Sequence, residues 1–280
     1  MAPDTVAFLD SGIGGLPYLD HARRSLPGYR YLYVADRENF PYGGKQPSQI
    51  IDAVTSVAAR VIQREDPRLI VIACNTASVV ALSALRGRFP VPFVGVVPAV
   101  KPAALRSRCR RVGVLATQAT VEGEYLARLI REHAADCSVV SLPASTLVQF
   151  VEREGARASA EERRRRVRTE VARFQETGID TLVLGCTHFL LLEEEFSALL
   201  REEGIALVDS RDGVSKQVAR LLNGGAARRE GAAPREGAAQ LRTDDPQRRP
   251  DTFFVTGTAP LEERYAAYAE RFGLSLGGSL

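Results

Sequence analysis

At 280 residues, with 45% apolar and 25% charged residues, the chain has the composition of a soluble globular protein and the length of about two domains. Its longest apolar stretches, such as Leu69–Cys74 and Thr181–Cys186, fall far short of the ~18 residues that a membrane-spanning helix needs. The formal charge is only +3, and the segment 224–250, with six arginines against four acids, supplies two units of it, which leaves no basic stripe for nucleic acid.

Residues 1–10 lack the basic region and apolar core of a secretory signal, so a cytoplasmic chain with thiols instead of disulfides is expected. Short runs rich in Val, Ile and Leu then recur between longer amphipathic stretches: Val6–Leu9, Leu32–Ala35, Leu69–Ala73, Phe93–Val96, Val112–Leu115, Val139–Leu142, Thr181–Leu184 and Ala206–Val208. Strands that are apolar throughout are buried on both faces, the signature of a parallel sheet covered by helices. Helices are expected over Val79–Arg88 and Leu190–Leu200. The run Arg163–Arg166 is flanked by Glu161, Glu162 and Glu170 at helical spacing, which reads as a solvated helix face. The segment 224–250, a mixture of Gly, Ala, Pro and Arg without hydrophobic period, reads as a disordered insertion. After it the fold resumes with a strand over Thr252–Thr256 and an amphipathic helix over Glu262–Phe272.

The two halves look like one design used twice. Val6–Ser11 resembles Val112–Thr117, and Ile70–Thr76 resembles Leu182–His188, so each half ends a comparable strand in a cysteine. The expected fold class is therefore α/β: two similar domains with mainly parallel sheets, related by pseudo-twofold symmetry, with the active site in the cleft between them. Residues 1–98 and 209–280 are assigned to the first domain and 99–208 to the second.

Cys74 and Cys186 carry the strongest chemical signal. Each follows an apolar strand and precedes a helix, where unpaired N–H groups favour a thiolate. A pair of buried, hydrophobe-like cysteines is the plain alternative, but two at equivalent strand ends are less easily dismissed. Cys109 and Cys137 lack this setting and are assigned no function. Asp10-Ser11-Gly12-Ile13-Gly14-Gly15 closes the first strand without the spacing of a dinucleotide fingerprint, and its glycines suit close approach to a small ligand. Asp36 and the loop Phe40–Lys45 sit after the second strand, where binding residues collect. A zinc site at Cys186 and His188 is disfavoured because no Cys-x-x-Cys knuckle exists, and a Cys-His hydrolase would need His188 to turn back on its own neighbour.

These residues resemble the glutamate racemases of the aspartate/glutamate racemase superfamily. The resemblance rests on Asp10–Leu16, Phe40–Gly43, Ala73–Ser78, Gly95–Ala103 and Leu184–Phe189, in family order. It implies an enzyme without cofactor or metal that interconverts L- and D-glutamate for peptidoglycan, with Cys74 and Cys186 as bases on opposite faces of the substrate. Carried over by motif, Cys74 takes the proton from D-glutamate and Cys186 from L-glutamate, Asp10 and His188 assist, and the carboxylate of Glu152 is a third assisting group. Ser11, Tyr42, Gly43, Asn75, Thr76 and Thr187, with Asp10 and His188, match the substrate-binding positions. Leu190 and Gln149 stand where the family usually has proline. The implied partner is the small-molecule substrate, with no nucleic acid or membrane, and a homodimer is the one assembly left open. An aspartate racemase or related isomerase would use the same thiols with a different pocket. A two-domain amino-acid-binding protein would share the helix termini without needing paired thiols.

Overall fold

The computed structural model describes residues 5–224 and 249–280, so most of the insertion expected at 224–250 lies outside the described residues. The chain divides into two units, Met1–Val96 with Arg211–Leu280, and Val97–Ser210. The first contains strands β1 (Thr5–Asp10), β2 (Arg30–Ala35), β3 (Leu69–Ile72) and β4 (Phe93–Gly95). The second contains β5 (Arg111–Ala116), β6 (Ser138–Pro143), β7 (Thr181–Leu184) and β8 (Ala206–Val208). The chain then returns to the first sheet with β9 (Thr252–Val255) and β10 (Ser275–Ser279).

The sheets run β10-β9-β2-β1-β3-β4 and β6-β5-β7-β8, and every pairing is parallel. The second sheet thus repeats the order of the four strands β2-β1-β3-β4, and the repeat extends to single residues. Leu9 faces Ile72 in one sheet as Leu115 faces Leu184 in the other. Beyond the strands, Ala73 N–H donates to the Leu9 carbonyl and Gly185 N–H to that of Leu115, both at 2.7 Å. Cys74 and Cys186 each lie one residue past these bonds, at matching positions of matching sheets.

Central strands β1, β2 and β3 are buried at every residue, as continuous apolar runs require. β6 departs from that expectation: it is an edge strand of its sheet, and its residues are half-buried or exposed. The helix Pro47–Glu65 shows how local sequence builds a layer. Gln46 and Gln49 close a reciprocal cap, Pro47 occupies a first-turn position that needs no N–H, and Ile50, Val54, Val57, Ala58 and Val61 form one apolar stripe. That stripe packs on Leu9, Leu32, Val34, Ile70 and Ile72, each fully buried Val, Leu or Ile contributing roughly 1.5–3 kcal/mol. The opposite face of the sheet is aromatic, with Tyr33 stacked on Phe253 at 5.3 Å between ring centroids.

The arginine run lies on the helix Ala160–Ala172, capped by Ser159. Glu162 accepts from Arg165 and Arg166, as the spacing suggested, but Glu170 pairs with Arg173, while Arg163 and Arg164 reach Glu195 and Glu202 on the helix Glu193–Glu202. No described helix is long and apolar enough to cross a membrane.

Candidate active site

In the first unit, Cys74 has extended geometry (φ −131°, ψ 125°) and is itself the N-cap of the helix Asn75–Arg88. The helix begins four residues earlier than the apolar pattern suggested, because Asn75, Thr76, Ala77 and Ser78 are its first turn and not a linker before it. Among the described residues no side chain caps this end, so the first-turn N–H groups suit an acceptor such as a thiolate or a ligand carboxylate. Cys74 is only 8% exposed.

Asp10 ends β1 fully buried, and its Oδ1 accepts from the Ser11 N–H at 2.6 Å. Tyr42 is buried too, in the short 3₁₀ turn Tyr42–Gly44 that comes after a cis Phe40–Pro41 peptide. Its phenol is pushed far above the ordinary tyrosine value, first by burial, then by the charge and hydrogen bond of Asp36, with Cys74 and Asp10 adding to the effect. Tyr42 therefore remains a neutral hydroxyl, within electrostatic reach of both Cys74 and Asp10. Thr76 is half-buried and Gly43 exposed. Asn75 is 6% exposed, and its side-chain oxygen finds no hydrogen-bond partner among the described residues. A buried acceptor left unpaired costs about 1–3 kcal/mol, a deficit that a ligand donor would remove.

The glycine-rich turn after β1 is held by Tyr33, which sequence reasoning passed over. Its hydroxyl donates to the Gly12 carbonyl at 2.8 Å and accepts the Gly15 N–H at 3.0 Å. A Cβ on Gly15 would lie 2.5 Å from that of Ala73, so glycine is required by close approach. The available signal was a polar-tipped aromatic in the middle of a buried strand, since such a hydroxyl must find a partner.

In the second unit, Cys186 has nearly the same backbone geometry (φ −135°, ψ 135°) and is 6% exposed. The segment beyond it differs from expectation: Thr187–Leu192 is a 3₁₀ helix, and the α-helix begins only at Glu193. Within it His188 turns back toward its neighbour, a geometry that weighs against a hydrolase when the motif is read alone but that a helper beside Cys186, as the family resemblance implies, requires. His188 Nδ1 lies 3.9 Å from the Cys186 sulfur, and Nε2 lies 3.0 Å from Glu152 Oε2. Thr187, His188 and Glu152 are all buried. Burial alone would depress the imidazolium, but hydrogen bonds and charges at Cys186 and Glu152 outweigh it and raise His188 well above its ordinary value. Glu152 comes from the helix Ser145–Arg153, where Gln149 sits on the exposed side and leaves the helix unbroken. Leu190 lies inside the 3₁₀ helix, buried, and not at its first residue.

Among the described residues no disulfide joins any of the four cysteines; Cys74 and Cys186 are buried, Cys109 is exposed and Cys137 half-buried. The site residues thus form two groups, Asp10, Ser11, Tyr42, Cys74 and Asn75 in one unit and Glu152, Cys186, Thr187 and His188 in the other.

The family model described as Asp/Glu/Hydantoin racemase matches residues 18–214. A glutamate racemase of Pectobacterium atrosepticum is 47% identical over 220 residues, 78% of this chain and 76% of that protein. Among solved structures, Escherichia coli glutamate racemase in complex with L-glutamate and the activator UDP-MurNAc-Ala matches with a TM-score of 0.83 and 35% identity, covering 99% of this chain and 98% of that one. The Thermus thermophilus glutamate racemase in complex with β-chloro-D-alanine matches with a TM-score of 0.71 and 31% identity, covering 100% and 96%.

Proposed function

Because the chain belongs to the Asp/Glu/hydantoin racemase family and is an amino-acid racemase, we propose that it interconverts L- and D-glutamate by two-base proton transfer without a cofactor, supplying D-glutamate for peptidoglycan. The observation that carries this reading is the repeat: two buried thiols at matching register positions of two equivalent sheets, each succeeded at once by a helical turn.

The chemistry needs an acid and a base together, and both directions of reaction require each group to serve in either role. In the L-to-D direction the Cys186 thiolate takes the α-proton, leaving the electron pair on Cα, and the Cys74 thiol delivers its proton to the opposite face. The sulfurs have then exchanged protonation states, and proton exchange with their surroundings resets them. The reverse direction begins with Cys74. His188, held protonated by Glu152, steadies the negative charge on Cys186, and Asp10 assists at Cys74. First-turn N–H groups beside each cysteine, with the hydroxyls of Ser11, Thr76 and Thr187, suit the substrate carboxylates and the charge that develops on deprotonation. The unpaired Asn75 oxygen suits the substrate ammonium.

The purified protein, given L-glutamate alone, is expected to bring the optical rotation to zero, since the enantiomers are equal in energy. Metal chelators and carbonyl-trapping reagents are expected to leave the rate unchanged. Racemisation of aspartate in preference to glutamate would move the assignment within the family, and binding without any change of rotation would replace catalysis by recognition.

A further inference from the structure

Asp36 has no part in these proton transfers, yet it is a fully buried carboxylate, and among the described residues no ion pair to it is found. Burying a charge without a counter-ion is costly unless hydrogen bonds take over from water. Here they do. Oδ2 accepts from the Tyr42 phenol at 2.6 Å and from Asn39 Nδ2 at 3.0 Å, and Oδ1 accepts from Thr256 Oγ1 at 2.7 Å and from the same Asn39 nitrogen at 3.1 Å.

The donors come from distant parts of the chain that the sheet brings side by side. Asp36 N–H bonds the Asp10 carbonyl at 2.8 Å and Thr256 N–H bonds the Ala35 carbonyl at 3.0 Å, so the ends of β1, β2 and β9 continue one ladder. Thr256 is itself fixed, because the Arg37 guanidinium donates to the carbonyls of Thr256, Gly257, Ala259 and Pro260. A residue that arrives only after the insertion therefore grips the carboxylate that grips Tyr42.

We propose that Asp36 is a positioning residue for the substrate loop Tyr42–Gly44, and that Thr256, delivered by β9, completes the clamp, so that the chain beyond the insertion helps to set substrate affinity. This rests on the reading of Tyr42 as a substrate-binding residue of a glutamate racemase. The Tyr42 hydroxyl has its proton committed to Asp36, which fixes the ring and with it the main chain of the loop. Replacing Asp36 by Asn removes the charge and puts an NH2 donor in place of one acceptor oxygen, so that one hydroxyl must turn from donor to acceptor and the Asn39 amide meets a second donor.

The test is steady-state kinetics in both directions on wild type, Asp36→Asn, Tyr42→Phe, their double variant, Thr256→Val and Thr256→Ser. A hydrogen bond to a charged group is worth about 1.5–3 kcal/mol, so Asp36→Asn is expected to raise KM about tenfold or more for both enantiomers. Its kcat should change by less than about threefold, the pattern of lost binding as opposed to lost chemistry. The double variant should be little worse than the poorer single variant, because both changes break one interaction. Thr256→Val should raise KM in the same direction and Thr256→Ser, which keeps the hydroxyl, should restore it; this pair decides the matter if Asp36→Asn does not fold. Unchanged KM in the folded variants, additive losses, or equal effects of Val and Ser at 256 would overturn the proposal. Failure of wild type to turn over glutamate would instead overturn the functional reading on which it rests.

Discussion

A buried imidazole between a carboxylate and a thiol takes its charge state from both neighbours, and His188 is such a group. Glu152 is the partner that holds it, so Glu152→Gln is expected to lower kcat by roughly tenfold or more, the equivalent of one charge-assisted hydrogen bond at about 1.5–3 kcal/mol. The pH dependence has a definite sign. His188 titrates above its ordinary value in the folded protein, so the stability this confers is complete below the unfolded value of ~6.5 and fades as pH rises through the folded value. Urea unfolding of wild type and Glu152→Gln from about pH 5.5 to 9 should therefore show a stability gap that is widest at the acid end. A gap independent of pH would contradict the charged pair. At this scale residue type and strand-end position singled out Cys74, Cys186 and Asp10 as candidates, while the role of His188 came only from the family resemblance. The sequence did not display the His188 turn, which depends on 3₁₀ winding that Cys-Thr-His does not announce, nor the links of Asn39 and Thr256 to Asp36, which depend on strand neighbours far apart in the chain.

Elements were legible where burial on both faces forces an apolar run. The eight runs named in the two halves became β1 to β8, two of them with the expected ends and the rest shifted by at most two residues. β10, Ser-Leu-Gly-Gly-Ser, was not legible, because an exposed edge strand needs no apolar residues and its pairing to β9 is visible only in the sheet. Another contact between elements carries a testable consequence. Asp180, just before β7, accepts from Ser107 Oγ at 2.6 Å and from the N–H groups of Arg108 and Cys109 at 2.6 and 2.8 Å, which ties down the turn leading into β5. Burial raises its carboxyl, but these hydrogen bonds outweigh it and hold the group below the usual carboxylate range. A depressed folded value stabilises above the unfolded value of ~3.9, and the benefit disappears as pH falls through the folded one. Asp180→Asn should accordingly lower Tm at neutral pH, with a smaller difference from wild type at about pH 3, where acid has begun to remove the same interaction. An equal Tm difference at both pH values would show that the carboxylate charge is not what holds the turn.

On the scale of the whole molecule the repeat is the organising fact, and it was legible because each half spends the same residues at the same place: an apolar strand, a cysteine, and small or polar residues after it. The insertion interrupts one unit late in its sequence, between the helix Arg211–Gly224 and β9, and contains none of the motifs. Replacing residues 226–247 with a short Gly and Ser linker should leave kcat/KM within about twofold, under ~0.5 kcal/mol in transition-state terms. A tenfold loss would show that this segment has a function. The central claim, that two thiols serve opposite faces of one substrate, is tested most directly by separating the half-reactions. On a glutamate analogue with a leaving group at Cβ, a thiolate removes the α-proton and the leaving group departs with its electron pair, so no second acid is needed. Cys74→Ser should then eliminate from the L-analogue and Cys186→Ser from the D-analogue. Both should lose racemisation by at least the ~10² to 10⁴ credited to one positioned acid or base. Equal elimination from both enantiomers by each variant would contradict the account and leave a single thiol reaching both faces.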